Sequence, residues 1–437
     1  MRALFTVSGL SAHYYPLVPL ARELADGGHE VRVLCVPSQA PAIRAAGLAA
    51  EPVLDGLDML LQARLSSFWQ AQAGQWLHPW LPPHPVTGAA LTSLDEFDMA
   101  EYRRANKAAA MAATTRSFDA AVSFAREWRP DIVLHDRLCL EGVLAARVLG
   151  IPAAVYLWGP IGTAEEGGLR LRPGDPTGAF PRHGVGDLGA EPFRHVIDPW
   201  PGPVPLPIGD ATRVPARYVP YGGELSGSLP VSGFGSGSGS SSGSGSGSGS
   251  GAGTGAGRPR VCLVWSTSMS AIAGAGSFIV PELLTVLTGL GAEVTALLSP
   301  DDAARLGEVP AGARVVSGVP LSKALADADL IVHPGGAGTA MTAVAAGVPQ
   351  LAVTFLPEQG GNADGIAAAG AGLHLKAAES TSDTLGDTIR DAAGRLLREP
   401  GFRAAARARA AANDARPAPA EVVTRLSEIA GRLSLVP

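Results

Sequence analysis

Short, nearly continuous apolar runs alternate along this chain with longer segments whose apolar positions recur at helical spacing. In the first half the runs are residues 2–7, 30–36, 131–135 and 153–157; in the second they are 260–265, 293–298, 330–333 and 350–355. Between the first two lies 16–28, with Leu17, Leu20, Ala21 and Leu24 at helical spacing and glycines at its end. Strands that are apolar on both faces need cover on both faces, so the pattern predicts parallel sheets flanked by helices. Two such sets predict an α/β protein of two doubly wound, Rossmann-like domains. In that architecture ligands bind outside the carboxyl ends of the strands, and chemistry is sought there.

The boundary between the halves is compositional. Every residue of 235–257 is Gly, Ser, Ala or Thr. Such a stretch has little to bury and predicts a disordered tether with a reach of about 25 Å. The organisation read from this is a first domain over 1–231, a linker over 232–257 and a second domain over 258–418. A final amphipathic helix over 419–437 carries Val422, Val423, Leu426, Ile429 and Leu433. The tether contains Gly239-Ser240-Ser241-Ser242-Gly243, but a nucleophile elbow needs a strand before it and a helix after it. The Gly-, Pro- and Arg-rich stretch 162–195 reads as a mobile loop, serving either as an acceptor lid or as a docking surface.

Composition narrows the function. Of 437 residues 46% are hydrophobic and 17% charged, enough for two cores, and the net charge of −6 with no basic run argues against nucleic acid. Cys35, Cys139 and Cys262 are scattered, which suggests neither a disulfide framework nor a zinc site. The opening residues lack the pattern of a signal peptide, and no run of about 18 apolar residues predicts a membrane span. A cytoplasmic enzyme is the expectation.

The most informative stretch is 328–371. An apolar strand ends in His333-Pro334-Gly335-Gly336-Ala337-Gly338-Thr339, and a small-residue helix follows. Glycines let a ligand approach the backbone, and the helix N-terminus offers unpaired N–H groups and a positive dipole end to phosphate. The G-x-G-x-x-G spacing fails at Met341, and no Lys precedes Ser or Thr, so neither a dinucleotide fingerprint nor a P-loop is present. After the next strand come Pro357-Glu358-Gln359 and Asn362. A carboxylate beside an amide suits the hydroxyls of a sugar.

This run, with Gly347-Val348-Pro349-Gln350 between its parts, resembles the donor signature of family 1 glycosyltransferases of the GT-B fold. The resemblance is to bacterial members that decorate macrolide, polyketide and enediyne antibiotics. It implies that His333, Gly336, Gly338 and Thr339 hold a diphosphate and that Glu358 and Gln359 hold the sugar. Two positions depart from the family pattern: Ser266-Thr267-Ser268 stands for Gly-Thr-Ser, and Gly318-Val319-Pro320 for Trp-Val-Pro. Thr267 keeps a hydroxyl for phosphate, whereas Val319 lacks the neighbouring aromatic platform for the base.

On the acceptor side, His13 falls between a strand end and a helix, where it is either a packing residue or a general base. Residues 13–21 resemble the family's H-x-x-P-L-x-P-L-A opening, whose His deprotonates the acceptor. The family pairs that His with an Asp at a neighbouring strand end, which points to Asp136. The competing role of Asp136 is the N-cap of a helix over 138–149. Trp69, Trp76 and Trp158 are candidates for an apolar acceptor surface or for ordinary core. Trp158-Gly159-Pro160 and the segments 197–199 and 219–221 resemble the antibiotic enzymes, some of which need a helper protein. Asp327-Ala328-Asp329 matches a metal-binding D-x-D, yet it lies before its strand, at the wrong end of the sheet.

The resemblance therefore implies inverting transfer of a (deoxy)sugar from a nucleoside diphosphate sugar, with dTDP as the expected nucleotide, to an apolar natural-product acceptor. His13 is the base, Asp136 its orienting partner, and neither cofactor nor metal is expected. A helper protein or a homodimer is left open. A nonhydrolysing sugar-nucleotide epimerase and a non-catalytic sugar-nucleotide-binding partner are the alternatives of the same fold.

Overall fold

The computed structural model describes residues 1–56, 58–165, 174–189, 193–225, 227, 257–265, 267–379 and 382–433. Of the tether only Gly257 falls among them. The first sheet consists of β1 (Arg2–Thr6), β2 (Glu30–Leu34), β3 (Ala50–Glu51), β4 (Ile132–His135), β5 (Ala153–Tyr156), β6 (His195–Asp198) and β7 (Thr212–Pro215). Its order is β3-β2-β1-β4-β5-β6-β7. The second consists of β8 (Arg260–Val264), β9 (Glu293–Leu297), β10 (Ala313–Val316), β11 (Leu330–His333), β12 (Gln350–Thr354) and β13 (Gly372–Lys376), in the order β10-β9-β8-β11-β12-β13. The pairings within both sheets are parallel.

The strand order reverses between β1 and β4 in one sheet and between β8 and β11 in the other. These switch points open a crevice beyond the carboxyl ends. All eight apolar runs form strands, most of them ending one or two residues earlier than read. Five strands carry no such run. β10 is half-buried throughout, and β7 buries only Val214, so neither shows a continuous apolar stretch.

The Val18–Asp26 helix buries Val18, Leu20, Ala21 and Leu24 against the first sheet, as its spacing predicts. The Pro419–Leu433 helix brings Val422, Val423, Leu426, Ile429 and Ala430 into that same core. The chain reaches it through paired hydrogen bonds: Tyr218 N–H donates to Asn413 Oδ1 (2.9 Å), and Asn413 Nδ2 donates to Tyr218 O (3.1 Å).

Two further contacts fix one domain against the other. Phe118, Leu140, Leu144 and Phe180 share a buried cluster with Met341, Val344 and Ile366. Residues 76–80 leave the first domain altogether: Trp80 Nε1 donates to Ala273 O (2.7 Å), and His78 bonds Phe355 O (2.9 Å). Part of 162–195 also departs from the mobile loop expected there. Phe180, in the short Ala179–Arg182 helix, and Phe193 are buried in the shared cluster, while 166–173 and 190–192 lie outside the described residues. No helix among the described residues is long and apolar enough to cross a membrane.

Candidate active site

At the end of β11 the chain turns through Pro334 and Gly335 into the Ala337–Ala346 helix. Gly335 has φ +88°, and a Cβ there would lie 2.8 Å from Gln359 O, so both conformation and space require glycine. Asn362 Nδ2 fastens the turn by donating to Gly335 O (3.1 Å). Gly336 caps the helix without any side-chain hydrogen bond. The N–H groups of the first turn, with half-buried Gly338 and Thr339, thus face the crevice as the free end of a dipole.

His333 closes this turn from within. It is buried, its Nδ1 accepts from Gly335 N–H (3.0 Å), and its Nε2 bonds Gln350 Oε1 (3.0 Å). Burial pulls its pKa down to about 4, so the ring is neutral. With both nitrogens engaged it braces the turn. Gln359 is engaged in the same way. Its Oε1 accepts from Phe355 N–H (3.1 Å) and Leu356 N–H (3.2 Å), and its Nε2 meets Met269 Sδ. It caps the Pro357–Ala368 helix because an amide at the third helical position reaches back to open N–H groups. Glu358 remains half-buried without a hydrogen bond among the described residues. Val319 is buried after β10, beside Gly318, whose carbonyl accepts from Gly227 N–H (3.0 Å). Thr267 begins the Thr267–Ala273 helix, but its side chain lies outside the described residues, as does Ser266.

Across the crevice, His13 sits in the one-turn helix Ser11–Tyr14, just beyond β1. Its Nδ1 bonds Ser8 Oγ (3.0 Å). Its ring stacks on Trp158 with centroids 4.1 Å apart and planes 12° from parallel. Nε2 makes no hydrogen bond among the described residues. Asp136 and His13 share no hydrogen bond among the described residues. Asp136 Oδ1 accepts from Leu138 N–H (2.7 Å) and Cys139 N–H (3.0 Å), and its Oδ2 accepts from Ser8 N–H (2.5 Å). The carboxylate therefore caps the chain entering the Leu140–Leu149 helix and pins the loop that carries Ser8.

The three tryptophans separate. Trp158, buried at the end of β5, touches His13, and its Nε1 has no partner among the described residues. The next residue, Gly159, approaches the donor helix so closely that a Cβ there would lie 3.2 Å from Ala337 Cβ. Trp76 packs against the second domain's core with its Nε1 on Trp80 O (2.7 Å), and Trp69 is 47% exposed. Neither lines a cavity of about 430 Å³ behind Ser8 and Gly9, whose apolar walls are Val7, Val36, Leu54, Met59, Phe118 and Leu140.

Sequence reasoning missed Ser8 and Arg137. Ser8 bonds His13 only five residues on, but the loop that aims it is pinned by Asp136, 128 residues away, and no spacing rule reaches that far. Arg137 is buried, donates to the carbonyls of Ile161 and Gly162, and lies near Glu358 and Glu165. Burial lowers its pKa to about 10, against the opposing pull of those two carboxylates. Its only sequence signal was its place after the strand end. The D-x-D carboxylates are turned to structural use: Asp327 pairs with Arg260 (3.4 Å), and Asp329 accepts from Arg260 N–H (2.9 Å) and Arg403 (2.7 Å).

Two family descriptions match this chain. The N-terminal domain of the erythromycin biosynthesis protein CIII-like family covers residues 23–226, and the C-terminal domain of the same family covers 281–429. The chain is 31% identical to 10-deoxymethynolide desosaminyltransferase of Streptomyces venezuelae, over 99% of this chain and 98% of that protein. It is 32% identical to aklavinone 7-beta-L-rhodosaminyltransferase of Streptomyces galilaeus, over 98% and 96% respectively. Among solved structures, the glycosyltransferase VinC in complex with dTDP superposes with a TM-score of 0.69 at 26% identity, over 99% of this chain and all of that one.

Proposed function

This chain belongs to the erythromycin biosynthesis protein CIII-like family of GT-B glycosyltransferases, and from that premise we propose that it moves a deoxysugar from dTDP to a hydroxyl of an apolar natural-product acceptor, with inversion. The observation that carries this reading is a single connected segment. Trp158 stacks on His13, and the adjoining Gly159 abuts Ala337 at the N-terminus of the donor helix. Base and diphosphate site thereby share one rigid reference. The names of the relatives support the same reaction class, and a dTDP complex of a structural neighbour supports the nucleotide.

In this reading the acceptor sits in the cavity behind Ser8 and extends past that loop to His13, which does not itself line the cavity. His13 Nδ1–H donates to Ser8 Oγ, which leaves the Nε2 lone pair to take the acceptor proton. The acceptor oxygen forms a bond to the anomeric carbon as the bond from that carbon to the diphosphate oxygen breaks. Negative charge builds on the departing diphosphate and meets the first-turn N–H groups of Ala337–Ala346 and the Thr339 hydroxyl. The Trp158 face stabilises the imidazolium that forms. Glu358, near Arg137, is the side chain left for sugar hydroxyls. Asp136 acts at one remove, by holding Ser8.

His13→Ala tests this. Transfer from a dTDP-sugar, followed by mass spectrometry across a panel of polyketide acceptors, is expected to fall by roughly 10²–10⁴-fold while dTDP affinity stays unchanged. Undiminished transfer in the variant would remove His13 as base.

A further inference from the structure

Three carboxylates line the cavity behind Ser8: Asp55, Glu141 and Asp175. One of them has a cation: Asp55 binds the Arg116 guanidinium (Nε at 2.9 Å). Asp175 accepts from the N–H groups of Ala179 and Phe180, each at 2.9 Å, at the start of a short helix. Glu141, in the first turn of the Leu140–Leu149 helix, accepts from the Ser117 hydroxyl at 2.9 Å, the Cys139 thiol at 3.3 Å and its own backbone N–H, all of them neutral donors. Among the described residues no Lys, Arg or His lines this cavity. A carboxylate offers about four lone-pair sites, so capacity remains. Burial raises the Glu141 pKa, as it must where a carboxylate has lost water without gaining a cation. Such a charge is costly against apolar walls unless a ligand brings its counter-ion.

We propose that this cavity selects an acceptor carrying a protonated amine, which Glu141 binds as an ion pair while the acceptor hydroxyl faces His13. The inference rests on the glycosyl-transfer reading for the identity of the occupant, but the amine preference is measurable without turnover. A carboxylated occupant is excluded by the same charge.

Three compounds with one ring system and different charge provide the test: 2-naphthylmethylamine, 2-naphthalenemethanol and 2-naphthoate, titrated into the full chain at neutral pH. The amine is expected to bind roughly tenfold tighter than the alcohol, and the naphthoate weakest. Glu141→Gln, nearly isosteric, is expected to bring the amine down to the level of the alcohol and leave the alcohol unchanged. Met59→Trp, which fills the cavity, is expected to abolish binding of all three. Equal affinity for the three compounds, an amine preference that survives Glu141→Gln, or binding that survives Met59→Trp would each overturn the proposal. Titrating dTDP into the same proteins separates the two readings. Loss of dTDP binding in the wild type would sink the glycosyl-transfer reading and leave the amine preference standing or falling on its own data.

Discussion

A serine hydroxyl on the Nδ1 of an imidazole orients the ring but, able to donate or to accept, neither selects its tautomer nor brings charge to offset an imidazolium. The Ser8–His13 pair thus asks for a base whose orientation is set by a neutral hydrogen bond and whose transient charge is met by the Trp158 ring. Ser8→Ala is expected to lower kcat by roughly tenfold, the weight of one hydrogen bond, without changing dTDP affinity. Ser8→Thr keeps the hydroxyl and is expected to restore most of the rate. Equal rates in wild type and Ser8→Ala would show that Trp158 alone positions the base. Two other histidines bear on stability. Burial lowers His135 and His333 to a pKa of about 4, below the value near 6.5 of an unfolded chain. Between those values the unfolded chain holds the proton and the folded one does not, so stability falls as pH drops from about 6.5 to 4 and levels off below. The loss is on the order of 3 kcal/mol for each histidine. Urea unfolding at pH 7.5, 5.5 and 4.5 reads it, and a flat profile would contradict the buried, neutral assignment.

At the level of elements, the central strands were legible because burial on both faces leaves a continuous apolar run: β4 and β11 bury every residue. The helix Ala337–Ala346 was legible because a glycine-rich turn follows an apolar strand and leads into a run of small residues. The N-cap role of Asp136 was legible as one of two alternatives, whereas the inward turns of His333 and Gln359 were not. Residue type does not say whether a polar group near a strand end turns toward the crevice or toward its own backbone. Here all three turned inward to bind N–H groups that lacked partners. Trp76 was read as acceptor surface or core, and a loop has no periodicity to report that residues 76–80 pack on another domain. Trp80 covers Gly276, where an added Cβ would lie 2.4 Å from its ring, and stacks on His78 with centroids 4.9 Å apart. Trp80→Ala is expected to cost about 3 kcal/mol and to split thermal unfolding into two transitions. A single transition with an unchanged midpoint would show that this stretch does not couple the domains.

Considered as a whole, the molecule brings the carboxyl ends of two parallel sheets to one crevice and holds them there with contacts that skip most of the chain. Tyr218 pairs with Asn413, Gly159 meets Ala337, and the last helix joins the core of the first domain. The account requires that this crevice recognise a nucleoside diphosphate and neither a dinucleotide nor a triphosphate. Calorimetric titration of the full chain with dTDP, UDP, NAD and ATP in parallel tests that requirement most directly. The account predicts one site that takes dTDP, with UDP weaker and NAD and ATP silent, and that weakens when Gly338→Asp sets a carboxylate in the first turn of the donor helix. Binding of NAD, or the absence of binding by both diphosphates, would contradict it.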